Sequence, residues 1–110
     1  VSVLIVRNEA KAYIDVAAGI RRKTLAVGDK GLMSQFQLKA GALLPLHSHH
    51  YEQIGYLVSG EMQLMIGEEE HRVQPGDSWS ISANVPHGAR IVKDTVALEI
   101  FMPVRRDYLD

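Results

Sequence analysis

Glycine or proline interrupts this chain every few residues: Gly19, Gly28, Gly31, Gly41, Pro45, Gly60, Gly67, Pro75-Gly76, Pro86, Gly88 and Pro103. Both residues weaken helices, glycine through backbone entropy and proline through its missing N–H and its ring. Between these marks lie runs of about five to nine residues in which apolar and polar side chains alternate. In residues 35–40 the apolar side chains fall on even positions. In residues 61–66, Met62, Leu64 and Ile66 share a face. In residues 96–101, Val96, Leu98 and Ile100 take one face and Ala97, Glu99 and Phe101 the other. Period two is the repeat of a strand, so an all-β sandwich or barrel of short strands is expected. No stretch carries a helical stripe, although residues 107–110 allow a terminal turn. Gly67-Glu68-Glu69 is expected as a hairpin tip between residues 62–66 and 71–73. Its acidic run, Glu68 to Glu70, is read as solvated and unfavourable to edge pairing.

Composition narrows the function classes. A length of 110 residues suits one domain over residues 1–110. Hydrophobic residues at 46% and charged residues at 23% are the balance of a globular chain rather than a disordered one. The net charge of -1 gives no electrostatic drive toward nucleic acid or an anionic membrane. Arg21-Arg22-Lys23, the nearest approach to a basic patch, is read as the solvated part of a strand. The absence of cysteine excludes disulfides, thiolate metal sites and cysteine nucleophiles. No apolar run approaches the ~20 residues that span a bilayer. No signal peptide is read in the opening residues, since Asn8, Glu9 and Lys11 follow at once, and a cytoplasmic location is expected. The apolar Val3-Leu4-Ile5-Val6 is read either as a strand added across a two-fold interface or as an internal strand.

Chemistry concentrates in Leu46-His47-Ser48-His49-His50-Tyr51-Glu52-Gln53. Residues two apart on a strand point the same way, so His47 and His49 can present two imidazoles to one point. Imidazole nitrogen suits Zn, Ni, Fe, Mn or Cu. His-x-His alone is a weak signal, more often a solvated pair than a metal site. Its surroundings add weight: Gly41 stands six residues before His47, Gln53 four after His49, and Gly60 seven after Gln53. Pro75-Gly76-Asp77 is followed by Pro86-His87. His50 is expected to face away from His47 and His49, and His71 to face solvent.

Gly41-x5-His47-x-His49-x3-Gln53-x6-Gly60 resembles the first motif of the cupins, G-x5-H-x-H-x3-E-x6-G. Pro75-Gly76-Asp77 with Pro86-His87 resembles the second motif, in the form found in small single-domain members of the RmlC-like cupin superfamily. The resemblance implies a cupin double-stranded β-helix, a jelly-roll barrel, with one divalent metal ion held in its lumen by His47, His49, Gln53 and His87. Gln53 replaces the family's usual Glu; Glu52 is its neighbour, but strand alternation turns Glu52 away. Three imidazoles and an amide leave the ion's charge uncompensated, which favours Lewis acidity and anionic substrates. The set also lacks the 2-His-1-carboxylate arrangement of many non-haem iron oxygenases.

The closing segment Glu99-Ile100-Phe101-Met102-Pro103-Val104-Arg105-Arg106-Asp107-Tyr108 is similar to D-x-F-x-P-x-R-x-D-[YF] of small cupins, among them the pectin-degradation KdgF-type subgroup, which converts unsaturated uronates. The resemblance implies that Glu99, Phe101 and Arg105 line the pocket, Glu99 departing from the pattern by one methylene. Periodicity alone leaves Glu99 open between lumen and solvent. Arg105 is open between a surface ion pair and a fork for a substrate carboxylate. Phe36, Tyr56 and Trp79 are read as core or pocket wall.

The expected function is metal-assisted ring opening and ketonisation of a small unsaturated sugar acid, with Glu99 and Arg105 catalytic and Phe101 and Arg105 binding substrate. A metal-dependent dioxygenase and a non-catalytic ligand-binding cupin are the alternatives. The resemblance also implies a homodimer.

Overall fold

The computed structural model describes residues 4–109. Eight antiparallel strands account for most of them: β1 (Ile14–Ala17), β2 (Ile20–Val27), β3 (Leu32–Leu38), β4 (Leu43–His47), β5 (Glu52–Ile66), β6 (Glu69–Val73), β7 (Ser78–Ile81) and β8 (His87–Met102). They hydrogen-bond in the order β1-β2-β3-β8-β5-β6, with β4 on β8 and β7 on β5. Single-turn 3₁₀ segments at Asn8–Ala10 and Arg106–Tyr108 are the helical pieces. Among the described residues no helix is long and apolar enough to cross a membrane.

The two long central strands build the barrel. The first part of β5 pairs with β7 and with the last part of β8, whereas its second part pairs with β6 and with the beginning of β8. Each strand therefore serves both halves of the jelly roll, and both bend between them. The bend is marked by register shifts between Leu57 and Met62. Irregularities of this kind let a sheet curl and close. Thr95 stabilises the corner: its hydroxyl accepts the Glu61 N–H at 3.2 Å and donates to the Lys93 carbonyl at 2.7 Å. Gly60 sits at the turning point with φ +95°, and a Cβ there would lie 2.3 Å from the Asp94 carbonyl oxygen. That collision explains why only glycine serves at the end of the first motif.

Alternation sets which side chains enter the barrel. Ile20, Leu32, Phe36, Leu38, Leu57, Met62, Leu64, Ile91, Ala97 and Phe101 are buried and point inward. Val96, Leu98 and Ile100 lie on the outer side of β8, where they are half-buried. The core therefore takes Ala97, Glu99 and Phe101, and Glu99 faces the lumen.

Some local expectations change. Arg22 and Lys23 are buried, not solvated. The Arg22 guanidinium lies 4.0 Å from the Tyr108 ring centroid, and Lys23 donates to Asn8 Oδ1 at 2.6 Å and sits over Tyr13. A long stem with a charged head is buried at low cost where rings and oxygens receive it. Tyr56 is exposed on the outer face rather than in core or pocket wall. The hairpin tip is the two residues Gly67 and Glu68, because Glu69 already pairs with Ile66. Residues 4–6 belong to no strand, which corrects the internal-strand reading, and Val3 lies outside the described residues.

The corner yields a stability prediction. Gly60→Ala should destabilise the fold by about 2 kcal/mol or more, since positive φ and a backbone collision act together. Gly67→Ala, with positive φ but open space around the added methyl, should cost less. Urea denaturation of the two variants checks the order.

Candidate metal centre and its cavity

Four backbone segments bring the histidines and Gln53 to one end of the barrel. His47 closes β4 and is the cross-strand partner of His87, the first residue of β8. His49 lies in the connection to β5, whose second residue is Gln53. The His49 carbonyl accepts the Asn84 N–H at 2.7 Å, which ties the loop of the first motif to the loop of the second. Gln53 is paired with Phe101 and Ile81 and points inward.

Each imidazole is oriented through its outer nitrogen. His47 Nδ1 lies 2.9 Å from the Pro45 carbonyl, His49 Nδ1 3.0 Å from that of Tyr51, and His87 Nδ1 2.9 Å from that of Val85. A carbonyl only accepts, so each Nδ1 carries the proton and each Nε2 keeps its lone pair. The three rings offer ligand atoms within 4.8 Å of one another. His47 and His87 have ring centroids 4.4 Å apart, and His49 and His87 4.8 Å.

The fit of a cation can be judged from the Gln53 contact. Gln53 Oε1 lies 3.1 Å from His49 Nε2. With Nδ1 protonated, that is one acceptor facing another, an unfavourable contact for two neutral groups alone. Two ligand atoms each about 2.1 Å from one ion stand at such a separation. Electrostatics point the same way. Burial, followed by the Arg105 charge, pushes the His49 pKa down, and burial followed by the neighbouring imidazoles does the same for His87. Neutral imidazole is the ligand form. The donor set fits a first-row divalent ion.

The same cavity, of about 300 Å³, takes in Glu99, Phe101 and Arg105. Glu99 is buried, and desolvation raises its pKa to about 8, opposed by the neighbouring Gln53 amide and Trp79 indole N–H. Arg105 is mostly shielded. Its guanidinium lies 4.0 Å from the Tyr108 ring centroid, 4.8 Å from Phe101 and 5.3 Å from Tyr51. It also pairs with Asp107 at 3.4 Å. Arg105 is thus an ion-paired guanidinium held at the cavity by rings. The remaining wall is apolar, with Ile20, Phe36, Leu38, Met62 and Leu64.

Glu52, His50 and His71 stay out. Glu52 is exposed. His50 stacks on Tyr51 with centroids 3.9 Å apart, and His71 pairs with Glu69 at 3.1 Å on the surface. Sequence reasoning assigned no role to Tyr51 and Tyr108, which enclose Arg105. The signal available was the aromatic position that ends the closing segment; nothing in the sequence marked Tyr51.

The cupin domain model matches residues 34–103. The chain is similar to the pectin degradation protein KdgF of Dickeya dadantii strain 3937, with 28% identity over 104 residues, 93% of this chain and 94% of that protein. Its structure is similar to that of KdgF from Halomonas sp., with a TM-score of 0.93 and 29% identity, covering 98% of this chain and 100% of that one. An RmlC-like cupin from Shewanella frigidimarina NCIMB 400 shares the fold, with a TM-score of 0.93 at 24% identity over 98% and 97% of the two chains. The motif spacing, the barrel closed by β5 and β8, and a family match spanning both motifs make this chain a member of the cupin family.

Proposed function

We propose that this chain is a metal-assisted enzyme that opens the ring of a small unsaturated uronate and converts its enol to the linear keto acid. The observation that carries the reading is the meeting of the imidazole trio, Glu99 and Arg105 in one cavity. The similarity to pectin degradation protein KdgF over nearly the full length of both chains supports the substrate class. His47, His49, His87 and Gln53 are the proposed ligands. A divalent ion held there supplies Lewis acidity toward a substrate oxygen.

The chain's own residues supply the rest. The Arg105 guanidinium receives the substrate carboxylate as a two-pronged donor, kept in place by Tyr51, Phe101 and Tyr108. Glu99 moves the proton. The enol hydroxyl loses one and the neighbouring alkene carbon gains one, so composition is unchanged. The apolar wall excludes water and strengthens the charge interactions at the reacting end. A cavity of about 300 Å³ admits one sugar-sized ligand.

Turnover is followed through the ultraviolet absorbance of the conjugated double bond, which disappears on conversion. Glu99→Gln should lower kcat about a hundredfold or more. Arg105→Ala should act chiefly on KM, and chelation should abolish activity until a divalent ion is restored. Unchanged absorbance decay with fully metallated protein would reject the assignment.

Glu99 also gives a pH prediction that needs no turnover. Its folded pKa, about 8, lies above the ordinary 4.5, so the folded state holds a proton that the unfolded state has lost. The stability this group contributes is therefore full below about 4.5 and is lost as pH rises through about 8. The lowered pKa values of His49 and His87 give a slope of the opposite sign, which fades as pH rises above 6.5, the ordinary histidine value. Between pH 6.5 and 8 the metal-free protein should lose up to about 1.4 kcal/mol per pH unit from this group. Metal-free Glu99→Gln should show a flatter profile in denaturant titrations, and equal slopes would contradict the burial argument.

A homodimer is proposed through the outer sheet face. Met33, Ile100 and Ile54 form one row across β3, β8 and β5, and Leu98 and Tyr56 adjoin it. Ile54, Tyr56 and Val58 are more than 40% exposed, a cluster that a second copy's like face would cover. Sedimentation should give twice the chain mass for the native protein and the chain mass for Tyr56→Lys. A native monomer at high concentration would count against it.

A further inference from the structure

Two buried side-chain atoms lack a hydrogen-bond partner among the described residues: Nε1 of Trp79 and Oε2 of Glu99. The first is solely a donor and the second an acceptor when ionised. Unmade bonds of this kind are rare in a packed interior and call for an explanation. These two atoms belong to one row of the sheet. Gly55 of β5 is paired with Glu99 of β8 on one side and Trp79 of β7 on the other, and all three positions are buried.

Gly55 is what lets the outer members of the row meet. A Cβ at that position would fall 2.1–2.3 Å from three indole atoms of Trp79, Nε1 among them. The indole thus lies over the Gly55 backbone, where any other residue would place a side chain. The indole N–H and the Gln53 amide are the two groups that favour the ionised Glu99 carboxylate. Gln53 approaches from the histidine end and Trp79 from β7, while Glu99 itself opens on the cavity.

We propose that Trp79 is a positioning residue for Glu99: its indole N–H, carried across Gly55, closes on the carboxyl and holds it in one orientation toward the lumen. This rests on the reading of Glu99 as the proton carrier, but the contact itself can be tested without turnover. Trp79 is the chain's single tryptophan, so its indole N–H gives one resonance in a nitrogen-correlated proton spectrum of the full chain. In protein of matched metal content and above pH 8, where the carboxyl is ionised, that resonance should lie downfield in the native chain. It should move upfield in Glu99→Gln, by more than the carbon-bound ring protons of the same residue. An indole N–H at the same position in both proteins would overturn the proposal, whatever the activity.

Trp79→Phe keeps an aromatic ring over Gly55 and removes the donor. In the uronate assay it should lower kcat about tenfold with KM changed less than about twofold, the size of one hydrogen bond to a charged group. Native kcat in a folded Trp79→Phe protein would also overturn it. Should that variant fail to fold, the Glu99→Gln spectrum still decides. Should the native chain leave uronates unchanged, the substrate reading fails alone, and the indole resonance continues to report on the Trp79–Glu99 contact.

Discussion

The carbonyls of Pro45, Tyr51 and Val85 govern the arrangement at the mouth of this barrel. Each takes the Nδ1 proton of a histidine two residues away along the chain. In doing so each fixes a ring plane and a tautomer, and the three Nε2 lone pairs are left to share one region. Without those contacts the imidazoles would have rotamer freedom and no common centre. Two of these carbonyls are in turn placed by the barrel: Pro45 lies in β4, against β8, and Val85 lies between the turn at 83–84 and the start of β8 at His87. A site that needs placement to a fraction of an ångström is thereby mounted on strands, with short loops carrying only His49 and the approach to His87.

Closure of the sheet has a second consequence. A carboxyl, an amide and a guanidinium share a mostly apolar cavity with the imidazoles. Low polarity makes each charge costly alone and valuable in company. Glu99 is pushed toward its protonated form, His49 and His87 toward neutrality, and Arg105 is retained by rings and by Asp107. The pKa values of acid and bases are driven in opposite directions by one cause, burial. Both shifts favour the uncharged form of the group.

Much of this was legible in the sequence because the β repeat is short and unambiguous. Alternation in residues 35–38 and 62–66 gave the inward faces, and two spaced motifs gave the family. Glu99 was evenly balanced on periodicity, since Leu98 and Ile100 on the opposite face are also apolar; the structure turns it inward because Ala97 and Phe101 are the better buried set. What remained hidden depends on contacts between distant segments. The burial of Arg22 and Lys23 follows from Tyr108, Asn8 and Tyr13 meeting them. The exposure of Tyr56 follows from its register opposite Leu98 on the outer face. The row Glu99–Gly55–Trp79 joins three strands, and no local pattern announces it.

The central claim is that His47, His49, His87 and Gln53 converge on a single cation. Anomalous diffraction from crystals of the metal-loaded chain, measured on both sides of the metal's absorption edge, tests it most directly. The account predicts one peak about 2.0–2.2 Å from the three Nε2 atoms and from Gln53 Oε1. Absence of a peak at that position, or a peak on the Nδ1 side of the rings, would contradict it.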